Sequence, residues 1–596
     1  MTISEEKIQE VGRRAQETAN LIWNVANSLF GAFKPHEYGL VILPMCVIKR
    51  FHDCLLPTRT AVLEANKEYG NLGELKEGFL REASGYQFYN TSEYTFASLI
   101  TDPENIEDNF NDYLRGFSDN VKQILERMNF QAQVDRMVEA GVLYQVVVDF
   151  AAEDLDMSPR HISTVDMGYI FENLVQRFSE SYNEEAGAHF TSRDIIYLMC
   201  DLLLTNNDTV EDESGIHCTV YDMTMGTSQM LTCMEERLKQ LDSHASVQTF
   251  GQEINPFTMG VAVADTLIHG SDPDNMKFGD TLSDDKFAGY EFDFVISNPP
   301  FGIDWKREAS VVEAEHKKGE AGRFAPGLPS KSDGQMLFLM NGVKKLKDTG
   351  RMAIIQNGSS LFNGDAESGP SNIRRYLIED TDWLDAIIQL PNDSFYNTGI
   401  ATYIWIINKA KPAERKRKVQ LIDASKCRLA RRKPIGNKRY DIEKTSRDLI
   451  VRAYGEFLTK DYEGVESDGK PIICKSKVVE GISLGYNKVV VESPVRNEDG
   501  SLALKRGRKV ADPSKRDTES IPLTEEIDEY IAREVLPYSP DAWADESKTK
   551  KGYEIPFARM FYEYTPIEAS DEIAARITEH EKALMTKLRE LFAEEE

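Results

Sequence analysis

The chain reads as an α/β protein built on a doubly wound, mainly parallel sheet, with an all-helical N-terminal domain and a C-terminal helical tail. Three observations predict this. From about residue 165 to 410, short β-branched runs alternate with helix-length stretches, the pattern of strand–helix–strand units. Residues 1–160 instead carry apolar side chains at mixed three- and four-residue steps. The closing stretch DEIAARITEHEKALMTKLRELFAEEE has the period of an amphipathic helix. At 596 residues the chain can bury several cores. The expected division is 1–160 helical, 161–460 α/β, and 461–596 an excursion followed by a helical partner-docking region.

In chain order, the first helix rests on Ile8, Val11, Ala15, Ala19, Ile22, Val25 and Leu29. YGLVILPMCVIKRFHDCLL is almost wholly apolar and predicts a buried helix, and NVKQILERMNFQAQVDRMVEAGVLYQVVVDFA adds further helices. No catalytic constellation falls in this part, so docking or structure is its expected role. The strands are predicted at CTVYDM, HASVQTFGQE, FDFVISN, GRMAIIQN, LDAIIQLP and TYIWIINK. Helical stretches such as DIIYLMCDLLL and NPFTMGVAVADTLIHG separate them. Residues 303–332 are polar and without period, which predicts a long mobile loop. Residues 460–520 are charged and broken by Gly and Pro, as in an excursion or linker. In the last helix Ile573, Ile577, Leu584, Leu588 and Leu591 form one face, which either packs on its own domain or seals a partner.

Composition excludes several classes. No apolar run approaches the roughly 18 residues that span a bilayer, so no membrane role is expected. The first twenty residues are charged throughout and lack the apolar core of an export signal, which predicts a cytoplasmic protein. The seven cysteines show no C-x-x-C pair or Cys/His ligand spacing, so reduced, packed thiols and no metal are expected. A net charge of -29 opposes non-specific binding to phosphates. One local exception exists: thirteen Lys/Arg between Lys409 and Tyr440 face only Glu414 and Asp423, leaving about +11. That run is either a solvated edge or a phosphate-facing surface.

The chemistry concentrates at strand ends, where such sheets bind ligands. TVYDMTMGTSQMLT puts Asp222 and Gly226 on a strand-to-helix turn, where glycine admits a close ligand and the helix start offers free N–H groups. TFGQEIN ends the next strand with Glu253, a carboxylate able to accept two ribose hydroxyls. KFGDTLSDD offers Asp280 to an exocyclic amine of an adenine. Taken singly, each is equally a cap or turn residue. The sharpest signal is NPPF, Asn298–Phe301, closing the run FDFVIS. An amine on an aromatic ring is a poor nucleophile, because its lone pair is delocalised. An Asn oxygen and a rigid neighbouring carbonyl could accept its two N–H bonds and favour the pyramidal form. Pro299 and Pro300 give rigidity without a competing N–H, and Phe301 a face for stacking.

The order of DMTMGTSQML, GQEINPFTMGVAVADTLIHGSD, GDTL and FDFVISNPPFG resembles the N6-adenine DNA methyltransferases, and specifically the modification (M) subunits of type I restriction-modification systems. EAGAHFTSRDIIYLMCDLL, KLKDTGRMAIIQNGSSLFNG, LDAIIQLPNDSFYNTGIATYIWIINK and VLPYSPDAWADESKTKKGYEIPFARMFYEY extend the likeness over nearly the whole chain. The resemblance implies the S-adenosylmethionine-dependent methyltransferase fold. It also implies that Ala188, His189, Phe190, Thr191, Ser192 and Arg193, with Asp222, Gly226, Thr227 and Ser228, hold the methionine end of S-adenosyl-L-methionine. Glu253 would take its ribose and Asp280 its adenine. Asn298, Pro299, Pro300 and Phe301 would take a flipped-out target adenine, methylated directly at N6 without metal. Double-stranded DNA, a specificity (S) subunit, a restriction (R) subunit and a second copy of the chain are the implied partners.

Two positions depart from the family pattern. The usual D-P-x-x-G-x-G is here Asp222-Met223-Thr224-Met225-Gly226-Thr227-Ser228, and T-P-R is Thr191-Ser192-Arg193. A serine at the second glycine position is costly if the turn requires positive φ there. Two alternatives therefore stand beside the enzyme: a non-catalytic scaffold of the same fold, and a protein-glutamine N5-methyltransferase.

Overall fold

The structure is a computed structural model that describes residues 5–162, 164–181, 191–207, 215–396, 398–563 and 568–593. It comprises two compact units, Met1–Ile555 and Pro556–Glu596.

In the larger unit, helices fill the chain from Glu5–Trp23 to Leu143–Phe150. The expected apolar face is real where its side chains are described: Ala15, Ala19, Ile22, Val25 and Leu29 are all buried. Gly39–Leu55 is the predicted central helix, buried at every position but one. Its Lys49 and Asp53 pair internally at 2.9 Å, and its buried Arg50 donates to the Met157 and Ile162 carbonyls.

The α/β part supplies β1 (His217–Asp222), β2 (Ser246–Glu253), β3 (Met276–Phe278), β4 (Phe292–Ser297), β5 (Leu346–Asn357), β6 (Leu384–Gln389), β7 (Thr402–Asn408) and β8 (Lys418–Asp423). A hairpin of β9 (Leu429–Ile435) and β10 (Lys438–Asp441) follows, then β11 (Lys460–Val465) and β12 (Pro471–Glu480). The sheet order is β11-β12-β8-β6-β7-β5-β4-β1-β2-β3. Pairing is parallel from β3 through β2, β1 and β4 to β5, and between β6 and β8; β7 runs antiparallel between β5 and β6. The chain winds outward from β1 to β3, then returns to place β4 on the other side of β1. That reversal opens a crevice beyond the carboxyl ends of β1 and β4. The helical region and the sheet share one continuous hydrophobic core, reaching from Ala15 to Cys474.

Three differences from the sequence reading stand out. β11 and β12 extend the main sheet antiparallel past residue 460, where an excursion is expected. Beyond them β13 (Gly485–Glu492), a small hairpin of β14 (Leu504–Lys505) and β15 (Arg508–Lys509), β16 (Asp517–Pro522) and β17 (Trp543–Tyr553) follow, and β16-β13-β17 form a second sheet. Alternating burial in these strands covers one face only, so the charges that suggest a linker are the solvent face of ordered strands.

The expected mobile loop 303–332 is also ordered. It holds the helix Ala309–His316 and buries Trp305 and Phe324. Arg323 fastens it by reaching Glu315 at 2.7 Å and the carbonyls of Thr281 and Leu282 at 2.6 and 2.8 Å. Its buried anchors, among them Trp305, Ala309, Val312, Arg323 and Phe324, recur at no regular step, which is why the pattern is silent.

All seven cysteines are buried, and none forms a disulfide. No helix among the described residues is long and apolar enough to cross a membrane. In the smaller unit the helix Ser570–Ala593 is present, with Ile573, Ile577 and Leu584 exposed; the side chains of Leu588 and Leu591 lie outside the described residues.

Candidate active site

At the crevice, the ends of β1, β2 and β4 and the turn after β3 converge on a cleft enclosing about 850 Å³ out to its open mouth. Thr191, Asp222, Gly226, Thr227, Glu253, Asp280, Asn298 and Pro300 line it together, although they span more than a hundred residues of sequence. Ala188, His189 and Phe190 lie outside the described residues.

The turn after β1 is tightly specified. Gly226 has φ 55° and Ser228 φ 65°, both left-handed, and Ser228 then caps the helix Gln229–Leu241. The family's second glycine thus answers a real backbone demand, which Ser228 meets under strain. Met225 N–H donates to the Gln252 carbonyl at 3.1 Å, and Gly226 N–H donates to Glu253 Oε2 at 2.9 Å, binding the turn to the end of β2. Glu253 Oε1 accepts from Asn255 N–H at 2.7 Å. Each carboxylate oxygen keeps a further lone pair for a ligand hydroxyl. Beside it Ile254 is 60% exposed, an apolar face on the cleft. Asp280 accepts from Leu282 N–H at 3.0 Å and Ser283 Oγ at 2.5 Å, which fixes its carboxylate.

Asp222 is buried at the switch point and accepts from Ser297 Oγ at 2.6 Å and Thr224 N–H at 3.0 Å. Burial pushes its carboxyl up to about 7, and nearby Glu253 adds to the rise while the two hydrogen bonds oppose it. A cation in the cleft would relieve that cost.

Asn298 Nδ2 donates to Thr191 Oγ1 at 2.8 Å, which orients the amide. Among the described residues its Oδ1 is buried with no hydrogen-bond partner, an acceptor without a donor. Pro299 is buried and Pro300 lines the cleft. Phe301 is half-buried and meets Phe395 edge-on, ring centres 6.5 Å apart.

Ser192, Arg193, Ser228, Pro299 and Phe301 are not brought to the cleft wall as Thr191 and Asp222 are. Ser192 Oγ accepts from Lys438 Nζ at 3.0 Å, and Asp194 beside it takes the same ammonium at 3.0 Å. Arg193 stacks on Tyr169 and donates to Gln229 Oε1 at 2.9 Å, so it supports a cleft residue from behind. Ser297 and Gln229 escape sequence reasoning. A lone serine ending FDFVIS, and a glutamine just after the strained turn, were the available signals.

The residues fit a nucleoside-bearing sulfonium donor. Two fixed carboxylates, an exposed isoleucine on the same wall, left-handed backbone at the turn and a buried carboxyl that a bound cation would ionise suit such a ligand.

The family model of the N-6 DNA methylases matches residues 163–512, and that of the HsdM N-terminal domain matches residues 18–150. The HindI methylase subunit of Haemophilus influenzae, a type I restriction enzyme component, is 25% identical over 387 residues, covering 63% of this chain and 79% of that one. The MjaIX methylase subunit of Methanocaldococcus jannaschii is 23% identical over 425 residues, covering 68% and 72%. A type I restriction-modification methyltransferase subunit from Streptococcus thermophilus shares the fold, with TM-score 0.60 and 22% identity over 79% of this chain and 97% of that one. With more than half its length matched and its strand-end residues gathered in one cleft, the chain belongs to the N-6 DNA methylase family, among the methylase subunits of type I restriction-modification systems, which are adenine-specific DNA methyltransferases.

Proposed function

We propose that the cleft binds S-adenosyl-L-methionine and presents a flipped-out adenine to it, with Asn298 as the catalytic acceptor. The observation that carries this is the buried Oδ1 of Asn298, held in place by Thr191 and, among the described residues, left without a donor. An exocyclic N6 amine supplies the missing donor. With the Pro299 carbonyl taking the second N–H, the two acceptors draw the nitrogen out of conjugation and free its lone pair. Rigid prolines keep both acceptors fixed, so their hydrogen bonds strengthen as the nitrogen becomes tetrahedral. Phe301, backed by Phe395, gives the base a stacking face. When bound, S-adenosylmethionine supplies an electrophilic methyl group on a sulfonium. Glu253 and Asp280 orient its nucleoside, Gly226 and Thr227 admit its methionine end, and Asp222 carries the countercharge. Ser192, Arg193 and Ser228 act as positioning residues; Ala188, His189 and Phe190 complete the methionine end.

The proposal divides labour along the chain: residues 1–160 dock, 161–460 carry the chemistry, and 461–596 meet partners. A specificity subunit reads the sequence of the duplex, a restriction subunit joins the complex, and a second copy of the chain serves the other strand, in the cytoplasm.

Calorimetric titration of the full chain with S-adenosylmethionine tests the cofactor half. Binding that Glu253→Ala or Asp280→Ala weakens at least about tenfold, roughly 1.4 kcal/mol, is expected. A wild-type chain that takes up no cofactor at about 1 mM is the scaffold instead.

A further inference from the structure

The basic run between Lys409 and Tyr440 separates into two populations. Lys411, Arg415 and Lys438 are buried and spent inside the fold, on Asp382 at 2.7 Å, Asp385 at 3.1 Å and Asp194 at 3.0 Å. Of the others, Arg431, Arg432, Lys433 and Arg439 lie on the β9–β10 hairpin. There Arg431, Arg432 and Lys433 face Trp23 of the helix Glu5–Trp23 and Arg177 of the helix Thr164–Ser181 across an open groove of about 1110 Å³. Among the described residues Asp441 is the one carboxylate on its wall, and Arg431 and Lys438 already hold it at 2.5 and 3.3 Å. Four cations therefore stand in the groove of a chain whose net charge is -29. Arg177 lies 5.7 Å from the centre of the Trp23 ring, so charge and a flat apolar face occur together.

The groove is joined to the cleft by short connections. Asn437 N–H donates to the Tyr396 carbonyl at 2.9 Å and Arg439 N–H to the Asp393 carbonyl at 2.8 Å. Between those two residues lies Phe395, whose ring meets Phe301. Lys438 reaches Ser192, next to the Thr191 that orients Asn298. The hairpin and the target-base clamp thus share a wall.

We propose that this groove holds the phosphate backbone of DNA beside the target adenine. The inference rests on the methyltransferase reading above. An acidic protein surface would suit the charge alone; the indole face and the adjoining Asn298 clamp favour a nucleic acid.

The test uses the chain assembled with its specificity subunit, binding a fluorescent duplex that carries the target site across a range of salt. Arg432→Ala with Lys433→Ala removes two exposed side chains that make no internal ion pair among those described. An unchanged thermal midpoint checks the fold. Losing two phosphate contacts should lower the slope of log affinity against log salt by about 2 and weaken binding about tenfold. An unchanged slope, with the wild-type complex methylating its site, overturns the groove and leaves the methyltransferase standing. Loss of specificity-subunit assembly in the double variant makes the groove a protein-docking surface and also overturns it. A wild-type complex that binds and methylates nothing fails the methyltransferase reading itself.

Discussion

At the scale of single residues, the cleft trades stability for readiness. Ser228 occupies left-handed backbone that glycine enters freely, so Ser228→Gly should raise the unfolding free energy by about 1 kcal/mol in urea titration. A stability decrease would show that the Ser228 side chain, not its backbone, matters there. Asp222 bears a second cost. Its carboxyl titrates near 7 folded against an ordinary value of 3.8, so the folded chain holds that proton more tightly. The contribution is fully present below pH 4 and is lost as pH rises through 7, about 4 kcal/mol in all. Asp222→Asn keeps an acceptor for Ser297 and removes the charge. The ligand-free variant should therefore be more stable than wild type at pH 8, by roughly 2 to 4 kcal/mol, with the gap closing towards pH 4. Its S-adenosylmethionine affinity should fall at the same time. Equal stability at both pH values would remove Asp222 from this role. Of these features, the acid at the strand end was legible in TVYDM; its burial and its Ser297 partner were not, because they depend on β1 and β4 being neighbours.

At the scale of elements, the sequence speaks where apolar residues repeat and falls silent where a few anchors suffice. All six predicted strands and the buried helix Gly39–Leu55 exist, most of them on near-continuous apolar runs such as FDFVIS, LDAIIQ and TYIWIIN. Segment 303–332 is held instead by Trp305, Phe324 and Arg323, and none of these repeats. Arg323 is buried and pairs with Glu315, whose carboxyl stays below its usual range because that guanidinium outweighs the effect of burial. Removing one partner of such a pair typically costs 3–5 kcal/mol. Arg323→Ala should accordingly speed hydrogen exchange across 303–332 well before global unfolding; exchange as slow as wild type would place the anchor elsewhere. β11 and β12 escape notice for a different reason. β11 is the edge of the sheet and β12 its neighbour, each with an exposed face, and their lysines and glutamates mask the alternation.

At the scale of the whole molecule, charge and topology assign the work. A net charge of -29 repels the substrate that the family acts on, so the chain alone should show little affinity for duplex DNA at about 0.15 M salt, and assembly with a specificity subunit should restore it. Tight binding by the isolated chain in a mobility-shift titration would contradict this. The topology, in turn, explains why distant motifs could be read as one site: the reversal of winding between β1 and β4 gathers the ends of four strands, and that arrangement follows from strand order alone. The chemistry then converges on one atom, the Oδ1 of Asn298, which has no hydrogen-bond partner among the described residues. The most direct measurement is to co-express the chain with its specificity subunit and sequence the DNA for N6-methyladenine, wild type against Asn298→Ala. Methylation at defined sites is expected with wild type and none with the variant, whose cofactor binding persists. Methylation that continues in Asn298→Ala would contradict the role of Asn298 as the acceptor.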